Sequence, residues 1–337
     1  MARTELKARQ MERRGTFMRI LVTGGAGFIA SHVADAYVNL GHEVAVLDDL
    51  SRGHRRNVNV RADFYEGDIE DRSFVRRVFA EFKPEVVNHH AAQMDVRRGV
   101  REPVFDARVN ILGSLNLIEE AVAHRTRHFI YISTAGAAYG EPEQLPVSEE
   151  AAVNPVTPYG VSKHTVEHYL YTFSALYSLT YTVLRYGNVY GPRQSSQGQA
   201  GVFAIFCEQI LAGIQPVIYG DGSKVRDYVY VDDVVQANLA ALSQGHGGIF
   251  NIASGEPTTD HQVLSIVCAM LDGAAIQPKY LSKRPGEIDA IVLDIGKAQR
   301  ELCWSPKVSL AEGARQTARY FQQVSELETH AVENSSR

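Results

Sequence analysis

The stretch Thr23-Gly24-Gly25-Ala26-Gly27-Phe28-Ile29-Ala30 lies between a short apolar run, residues 19–23, and a segment with a helical pattern, residues 31–40. A glycine-rich turn at a strand-to-helix junction lets backbone N–H groups approach a pyrophosphate, and the helix N-terminus adds partial positive charge. Gly24 and Gly27 have the Gly-x-x-Gly spacing of such turns. The stretch therefore predicts a strand, a phosphate-binding turn and a helix.

A carboxylate follows at the distance expected for the ribose of a bound dinucleotide. The second predicted strand leads into Asp48, which is 48 − 27 = 21 residues beyond Gly27, close to the about 20 of dinucleotide-binding units. A carboxylate there accepts hydrogen bonds from ribose hydroxyls and repels a 2′-phosphate, which favours NAD over NADP. The alternative is a glycine turn with a helix-capping Asp nearby, and the strand–turn–helix–strand context weighs against it.

Strand and helix signals alternate over the first half of the chain, which predicts parallel strands joined by crossover helices. Runs such as Ile20-Leu21-Val22 lack polar alternation, as strands buried on both faces do. We expect an α/β fold, a Rossmann-type doubly wound parallel sheet, with a smaller C-terminal α/β unit after Gly187. The predicted strands are residues 19–23, 43–47, 62–65, 85–88, 129–132 and 181–185.

Composition excludes several classes of protein. Hydrophobic residues make up 45% and charged residues 22% of the 337 residues, as in globular proteins. The 34 basic and 39 acidic residues give a net charge of −5, which argues against a nucleic-acid binder. No apolar run approaches the about 18 residues of a membrane span, and the N-terminus lacks the apolar stretch of a secretion signal. We therefore expect a cytoplasmic protein. Because its three cysteines are far apart in the sequence, we expect neither a disulfide nor a metal site.

Two further loops follow predicted strands at the edge where a doubly wound sheet binds its ligand. The loop after the third strand could hold adenine, and the loop after the fourth could line the cofactor cleft. The adjacent pair His89-His90 precedes the second loop, and neighbouring strand residues point to opposite faces, which argues against a shared metal. The candidate cofactor residues in these loops are Asp68, Ile69, Ala91, Ala92 and Gln93.

A tyrosine and a lysine are spaced for joint action on one helix face. Tyr159 and Lys163 are four residues apart, so both project from the same side of a helix. A phenol with a pKa of about 10 is a poor base near neutrality, but a neighbouring ammonium and a cationic nicotinamide favour the phenolate. A hydroxyl from Thr134 or Ser133 could then hydrogen-bond the reacting oxygen. A solvated helix face is the alternative, and the upstream dinucleotide signature weighs against it.

Taken together, these motifs resemble the extended short-chain dehydrogenase/reductase family, and within it the NAD-dependent nucleotide-sugar epimerases and dehydratases. The resemblance extends from Met18 to about Phe321. It is carried by residues 23–29 (TGGAGFI), 47–53 (LDDLSRG), 89–93 (HHAAQ), Tyr159 with Lys163, 185–193 (RYGNVYGPR), 225–233 (VRDYVYVDD) and 284–287 (RPGE).

The resemblance implies how the chain is divided. Residues 18–187 would form the NAD-binding domain, which would also receive about 226–253, including a strand at 249–253. Residues 188–225 and 254–321 would bind the sugar nucleotide. Residues 1–17 would be a polar, disordered extension, with a docking role as the alternative, and 322–337 a loose tail.

The resemblance also implies contacts for both ligands. Phe28, Ile29 and Asn110 would join the cofactor residues. Asn188 and Arg226 would bind the diphosphate with Arg284 as a second cation, since guanidinium groups match phosphate oxygens. The implied uridine neighbours are Val202, Phe203 and Tyr219, and Ile291 stands at the position that limits the bulk of the sugar.

Two departures from the family pattern bear on the reaction. The usual catalytic Ser/Thr position, counted from Tyr139-Gly140, holds Ala135, so we assign the hydroxyl to Thr134 with Ser133 as second choice. The related dehydratases place an acid/base pair after this residue, where the chain has Ala135 and Gly136. The simplest remaining chemistry is epimerisation of UDP-glucose and UDP-galactose at carbon 4 through a transient 4-keto sugar. The alternatives are a UDP-uronic acid or UDP-N-acetylhexosamine substrate and, less favoured, a non-catalytic NAD-binding protein.

The resemblance further implies a homodimer built from a helix at residues 106–123 and the Tyr159–Lys163 helix. Five apolar residues could form one stripe on the first helix. A face buried within the chain is the equal alternative. The stripe consists of Val109, Leu112, Leu115, Ile118 and Val122.

Overall fold

The computed structural model describes residues 17–195, 201–271, 276–284 and 287–335. The strands are β1 Arg19–Thr23, β2 Glu43–Asp48, β3 Asp63–Glu66, β4 Val86–His89, β5 His128–Thr134, β6 Thr180–Tyr186, β7 Asn188–Tyr190, β8 Val217–Tyr219, β9 Val225–Tyr230, β10 Ile249–Ile252, β11 Pro257–Thr259 and β12 Lys279–Leu281. The helices are α1 Phe28–Asn39, α2 Arg72–Phe82, α3 Val96–Arg101, α4 Pro103–Ala107, α5 Ser114–Ala123, α6 Gly136–Tyr139, α7 Pro158–Tyr177, α8 Val202–Leu211, α9 Val231–Ala241, α10 Asp260–Met270, α11 Gly296–Glu301 and α12 Leu310–Ser335.

Seven parallel strands form the main sheet in the order β10-β6-β5-β4-β1-β2-β3. The chain order reverses between β1 and β4, which are paired from Ile20 with Val86 to Thr23 with His89. Such a reversal opens a crevice at the carboxyl ends of the strands. The predicted α/β doubly wound parallel sheet is confirmed, and all six predicted strands are present with ends shifted by at most two residues. The predicted strand at 249–253 lies on the edge of this sheet, paired with β6.

Helices cover both faces of the sheet because its strands are apolar on both sides. One face buries Val22 and Ile130 against α1 and α9, together with Tyr37. The other face buries Leu21 and Phe129 against α2, α5 and α7. Burial on two faces is the physical reason for unalternating runs in the sequence.

Two small sheets lie outside the main one and position the C-terminal residues of the predicted site. β9 pairs with β7 in parallel and with β11 in antiparallel orientation, and β8 pairs with β12. The bridge between Val225 and Ala290 brings the segment around Ile291 beside β9. Residues 285–286 lie outside the described part of the chain.

Three expectations about chain segments need comment. The predicted helix at 106–123 is interrupted: α4 ends at Ala107, a π-helical turn covers Arg108–Gly113, and α5 follows. The loose tail expected at 322–337 is wrong up to Ser335, because α12 continues to that residue through good helix formers such as Glu, Gln and Leu. Most of the predicted N-terminal extension, residues 1–16, lies outside the described residues. Within the described ranges, no helix is both long and apolar enough to span a membrane.

Replacement of Phe129 by alanine tests the packing of the second face. Phe129 is fully buried near the start of β5, so Phe129→Ala should lower the free energy of unfolding by about 3–5 kcal/mol. Denaturant titration of NAD-free protein measures the loss. Val60→Ala, at a position that is 97% exposed, is the control and should change little; equal losses in both variants would contradict this packing.

Candidate active site

The glycine turn forms the bottom of the crevice between β1 and β4. Gly24 has a φ of +72°, which favours glycine, and a Cβ on it would lie 2.8 Å from the backbone nitrogen of Ala91. The Gly27 N–H donates to the Gly24 carbonyl at 2.9 Å. Gly27 also precedes α1 and offers no side-chain cap to its first turn. The turn therefore suits a pyrophosphate, because the backbone is compact and no side chain competes for the helix N-terminus.

Asp48, the predicted ribose ligand, supports this turn through its carboxylate. Its Oδ2 accepts the Ala26 N–H at 3.0 Å, and its Oδ1 accepts the Leu50 N–H at 2.8 Å. Burial raises the pKa of the carboxyl group, and the two N–H donors oppose that rise. Each carboxylate oxygen can accept more than one hydrogen bond, so ribose hydroxyls still have acceptor sites.

The two candidate cofactor residues in the loop after β3 differ in their exposure to solvent. Asp68 is exposed, and its Oδ1 accepts the Glu70 N–H at 2.8 Å. Ile69 is buried and lies against Gly113, where a Cβ would be 2.8 Å from its Cδ1 atom. The π-helical turn thus packs directly on this loop.

The loop after β4 is held by Asn110, which belongs to the π-helical turn. Asn110 Oδ1 accepts the Gln93 N–H at 2.8 Å, and its Nδ2 donates to the Gln93 carbonyl at 2.9 Å. The same Nδ2 donates to Ser162 Oγ at 3.2 Å, next to Lys163 on α7. Asn110 therefore joins the cleft loop to the helix that carries Tyr159. π-Helical turns are frequent at functional sites, but no sequence signal pointed to this one.

His89 extends the same network on the buried side of β4. Ser114 Oγ donates to the Asn110 carbonyl at 2.6 Å, so it accepts from His89 Nε2 at 2.8 Å. His89 Nδ1 then accepts from Thr23 Oγ1 at 2.7 Å. Burial, with a smaller contribution from Lys163, holds the pKa of His89 well below its ordinary value. The imidazole is therefore neutral. It links Thr23, which precedes the glycine turn, to Ser114 and through Ser114 to Asn110 in the π-helical turn.

Tyr159 and Lys163 lie on α7, as the spacing predicts. Thr157 caps this helix by accepting the Gly160 N–H at 3.2 Å, and Pro158 occupies its first position. Lys163 is only 3% exposed, and its Nζ lies 4.6 Å from the centre of the Tyr131 ring. The two residues are thus delivered from one helical turn into a desolvated environment.

Burial shifts the pKa values of Lys163 and Tyr159 in the directions that favour their neutral forms. It lowers the pKa of Lys163 to about 7, against opposing contributions from Glu167 and Asp106. Burial also raises the pKa of the Tyr159 phenol, and the Asp106 carboxylate adds to this rise. A phenolate at Tyr159 therefore requires a positive charge beyond what the chain itself supplies. Perturbed groups in a cleft are typical of a catalytic site.

The two candidate hydroxyls have different surroundings at the end of β5. Ser133 is 3% exposed and donates to Glu167 Oε1 at 2.6 Å. Thr134 is partly exposed, and its hydroxyl has no hydrogen-bond partner among the described residues. The geometry favours Thr134 over Ser133 as the hydroxyl that a ligand can reach.

Glu167 was not singled out in the sequence, yet it connects α7 to two strands. It accepts Arg185 Nε at 3.0 Å and Arg185 Nη2 at 2.5 Å, in addition to the Ser133 hydroxyl. Burial alone would raise its pKa, but the hydrogen bonds from His164 and Arg185 outweigh burial and lower it to about 2. Arg185 also donates to Tyr139 Oη at 2.9 Å. This ion pair fixes α7 against β5 and β6.

Of the two predicted diphosphate cations, Arg226 lies on β9 and Arg284 lies in the segment that follows β12. Arg226 donates to the carbonyls of Val225 and Ile288, both at 2.8 Å. Arg284 stacks its guanidinium 3.3 Å from the centre of the Tyr219 ring. The structure thus brings Arg284 and Tyr219 together, while backbone carbonyls orient Arg226.

The remaining substrate candidates differ in accessibility. Asn188 begins β7 and is partly exposed, as is Val202. Phe203 is 1% exposed and stacks on Tyr190 with ring centres 4.2 Å apart. The side chain of Phe203 is therefore part of the core, and its place as a neighbour of the uridine stays a prediction.

The expected sugar position is bounded by small and apolar residues. Ile291 is 3% exposed and packs in a cluster with Ala135. A Cβ on Gly136 would lie 3.7 Å from both Ile288 and Ile291. Residues 135–137 are Ala-Gly-Ala, so this wall offers neither acid nor base.

Known proteins are similar to this chain in sequence and in architecture. Residues 20–253 match the model of the NAD dependent epimerase/dehydratase family. The chain belongs to this family. A putative UDP-glucose 4-epimerase of Methanocaldococcus jannaschii is 41% identical over 305 residues, which cover 90% of this chain and 98% of that protein.

Two solved structures of family members match over nearly their whole length. The Thermotoga maritima UDP-glucose 4-epimerase with UDP-glucose has a TM-score of 0.89 and 48% identity, covering 91% of this chain and 99% of that one. The Thermus thermophilus UDP-glucose 4-epimerase with NAD has a TM-score of 0.86 and 43% identity, covering 90% and 99%. NAD is the cofactor of the family, and the glycine turn, Asp48 and the α1 N-terminus form a cradle that fits it.

Thr134→Val and Ser133→Ala distinguish the two hydroxyls. Thr134→Val should lower kcat about 10²–10³-fold, as the loss of one donor to a reacting oxygen does. Ser133→Ala removes one hydrogen bond to Glu167, so it should cost about 1 kcal/mol of stability and leave kcat within a few-fold of wild type. Steady-state kinetics with the family's sugar nucleotides decide; the reverse ranking would contradict the assignment.

Burial of Lys163 predicts a pH-dependent stability difference. The pKa of Lys163 is about 7 in the folded chain against 10.5 ordinarily, so the unfolded chain binds the extra proton between these values. Stability of the wild type should therefore rise with pH across that window. Lys163→Met should be more stable than wild type below pH 7, and this gain should vanish towards pH 10.5.

Denaturant titrations of NAD-free protein at several pH values measure the difference. The control is Lys307→Met, at an exposed lysine. A stability difference for Lys163→Met that does not change with pH would contradict the burial of its charge.

Proposed function

We propose that the chain interconverts UDP-glucose and UDP-galactose by NAD-dependent epimerisation at carbon 4, through a transient 4-keto sugar. The observation that carries the proposal is the Tyr159–Lys163 pair beside a wall of Ala135, Gly136 and Ala137. The pair supports oxidation of a secondary alcohol, and a wall without acid or base gives no means of eliminating water. The likeness to UDP-glucose 4-epimerases supports the substrate.

In this proposal the crevice would hold NAD, and the glycine turn and the N-terminus of α1 would bind its pyrophosphate. Gly24, Gly27, Phe28 and Ile29 present backbone to the phosphates, and Asp48 accepts from the adenosine ribose. Asp68 and Ile69 border the adenine. The remaining contacts near the nicotinamide half come from Ala91, Ala92, Gln93, Asn110, Tyr159 and Lys163.

The residues of α7 and β5 handle the proton. When bound, NAD would supply the hydride acceptor for oxidation at carbon 4 and the hydride donor for reduction on the opposite face of the sugar. Tyr159 removes the proton of the 4-hydroxyl, and the ammonium of Lys163 favours the phenolate that does so. Thr134 hydrogen-bonds the oxygen at carbon 4, where negative charge develops. Because buried Tyr159 resists ionisation, the positive charge of the cofactor completes the activation.

The sugar nucleotide lies over the C-terminal unit. Asn188, Arg226 and Arg284 bind the diphosphate, and Tyr219 and Val202 border the uridine, with Phe203 supporting them from the core. Ile291 and Ile288 limit the space around the sugar. These two apolar side chains offer no cation for a sugar carboxylate, which weighs against a UDP-uronic acid.

The decisive assay incubates purified protein with UDP-glucose, UDP-galactose, a UDP-uronic acid and UDP-N-acetylglucosamine. The proposal predicts interconversion of the first two. Tyr159→Phe should lower turnover by about 10²–10⁴-fold and leave NAD bound, while Tyr169→Phe, a control on the same helix, should retain activity. Turnover of only the other substrates, or unchanged turnover in Tyr159→Phe, would contradict the proposal.

The domain division and cytoplasmic location given by the sequence are kept as part of the proposal, and so is a homodimer. Its support is a set of exposed apolar side chains on α7, on α4 and on the π-helical turn that follows α4. Large exposed apolar patches are uncommon on a monomer. The residues, with their exposed fractions, are Val104 (78%), Leu112 (56%), Val161 (48%), Tyr169 (38%) and Leu176 (66%).

Charge introduced on this face should dissociate the dimer. The double variant Leu112→Asp/Val161→Asp would bring four carboxylates into a two-fold interface, so it should sediment as a monomer at concentrations where wild type is a dimer. Val60→Asp, at an exposed position on a loop, is the control. A wild-type monomer, or a dimer that survives the double variant, would contradict the interface.

A further inference from the structure

Two histidines on the outward side of α7 bring their ring nitrogens together. His164 and His168 are four residues apart, and their Nε2 atoms are 3.1 Å from each other. The His164 side chain is 23% exposed, and His168 is exposed. In the single chain solvent ions can therefore reach both nitrogens, and in the proposed homodimer the pair would lie on the helix that carries Val161 and Tyr169. Neither histidine belongs to the proposed reaction.

The inner histidine is held in one orientation by a carboxylate. Its Nδ1 lies 3.1 Å from Glu167 Oε2, and a carboxylate only accepts, so His164 donates from Nδ1. In its neutral form the lone pair then lies on Nε2. Glu167 cannot turn away, because Arg185 and Ser133 hold it. A carboxylate on the far nitrogen is what orients metal-binding histidines and raises their basicity.

The separation of the two nitrogens also fits a shared ion. With metal–nitrogen distances of about 2.0–2.1 Å, two ligating nitrogens lie about 2.9 Å apart at a right angle and about 3.3 Å apart at the tetrahedral angle. The observed 3.1 Å lies between these values. A hydrogen bond between the two rings gives a similar distance, and the experiment below separates the two cases.

We propose that His164 and His168 form a chelating site for a divalent transition metal ion, with Cu²⁺ bound more tightly than Zn²⁺. Imidazole nitrogen suits both ions, and Cu²⁺ stands above Zn²⁺ in the general order of affinities. Each ring gives one lone pair, and any proton on Nε2 passes to solvent. Over the described residues, no third His, Cys, Asp or Glu completes a cluster. Water fills the other positions, or the same pair from a second copy does so if α7 forms the subunit contact.

Binding would have two consequences for the chain. An ion that bridges residues one turn apart binds only the helical form, so it stabilises the fold by mass action. It also draws electron density from His164, which strengthens the hydrogen bond from Nδ1 to Glu167. The proposal does not rest on the proposed function, because the hydrogen bonds of the two imidazoles are to each other and to Glu167 and not to the side chains assigned to NAD or the sugar nucleotide.

The test titrates tag-free, metal-stripped protein with Cu²⁺ and with Zn²⁺ by calorimetry, alongside the variants His164→Ala and His168→Ala. Wild type should bind one ion per chain, or one per two chains, and each variant should lose at least tenfold in affinity. Electron paramagnetic resonance of the Cu²⁺ form should show coupling to nitrogen that His168→Ala weakens. His124→Ala is the matched control, since the His124 side chain is 26% exposed on another helix; it should bind like wild type.

Equal affinity in wild type and in folded His168→Ala would overturn the site and leave a hydrogen bond between the rings only. Circular dichroism checks that the variant is folded. Because His168 is exposed, its replacement should leave the helix intact. Binding that His124→Ala weakens as much as His168→Ala would also overturn the proposal, because the ion would then bind nonspecifically to surface histidines.

Discussion

The buried ion pair between Glu167 and Arg185 is the interaction on which the rest of the site depends. It joins α7 to β6, and through the Ser133 hydroxyl it also joins α7 to β5. A buried pair of this kind costs desolvation, so it adds little net stability. It does define where the helix lies along the strands. Lys163 and Tyr159 are one and two helical turns away from Glu167, so their height above the end of β5 follows from it.

The same carboxylate contributes to the charge balance of the cleft. Lys163 is buried and would lose its proton more readily without the negative charges of Glu167 and Asp106. Asp106 in turn makes ionisation of Tyr159 harder. Near neutral pH the site therefore holds a neutral phenol and a lysine close to its own pKa of about 7, and the phenol stays neutral until a further positive charge arrives. This arrangement couples the base to the presence of an oxidised cofactor and limits unproductive proton transfer.

Local spacing was enough to predict the glycine turn, Asp48 and the Tyr159–Lys163 helix, because each depends on residues close together in sequence. The apolar runs likewise predicted a doubly wound sheet. Contacts between distant segments could not be predicted from the sequence, and examples are Asn110 with Gln93 and Glu167 with Arg185. The π-helical turn has no local sequence signal either. The burial of Phe203 was missed for the same reason, since tertiary packing decides it. The helix up to Ser335 is a different case: its good helix formers are a local signal, which the polar composition of the tail outweighed in the prediction.

The most direct test of the central claim follows an isotope at the reacting carbon. The purified protein is incubated with UDP-glucose that carries deuterium on carbon 4, in ordinary water, and the UDP-galactose formed is examined by nuclear magnetic resonance and mass spectrometry. If hydride leaves carbon 4 and returns to it within one site, the product keeps its deuterium at carbon 4 with the opposite configuration. Product with solvent hydrogen at that carbon would contradict the account, since it would require deprotonation of carbon rather than oxidation.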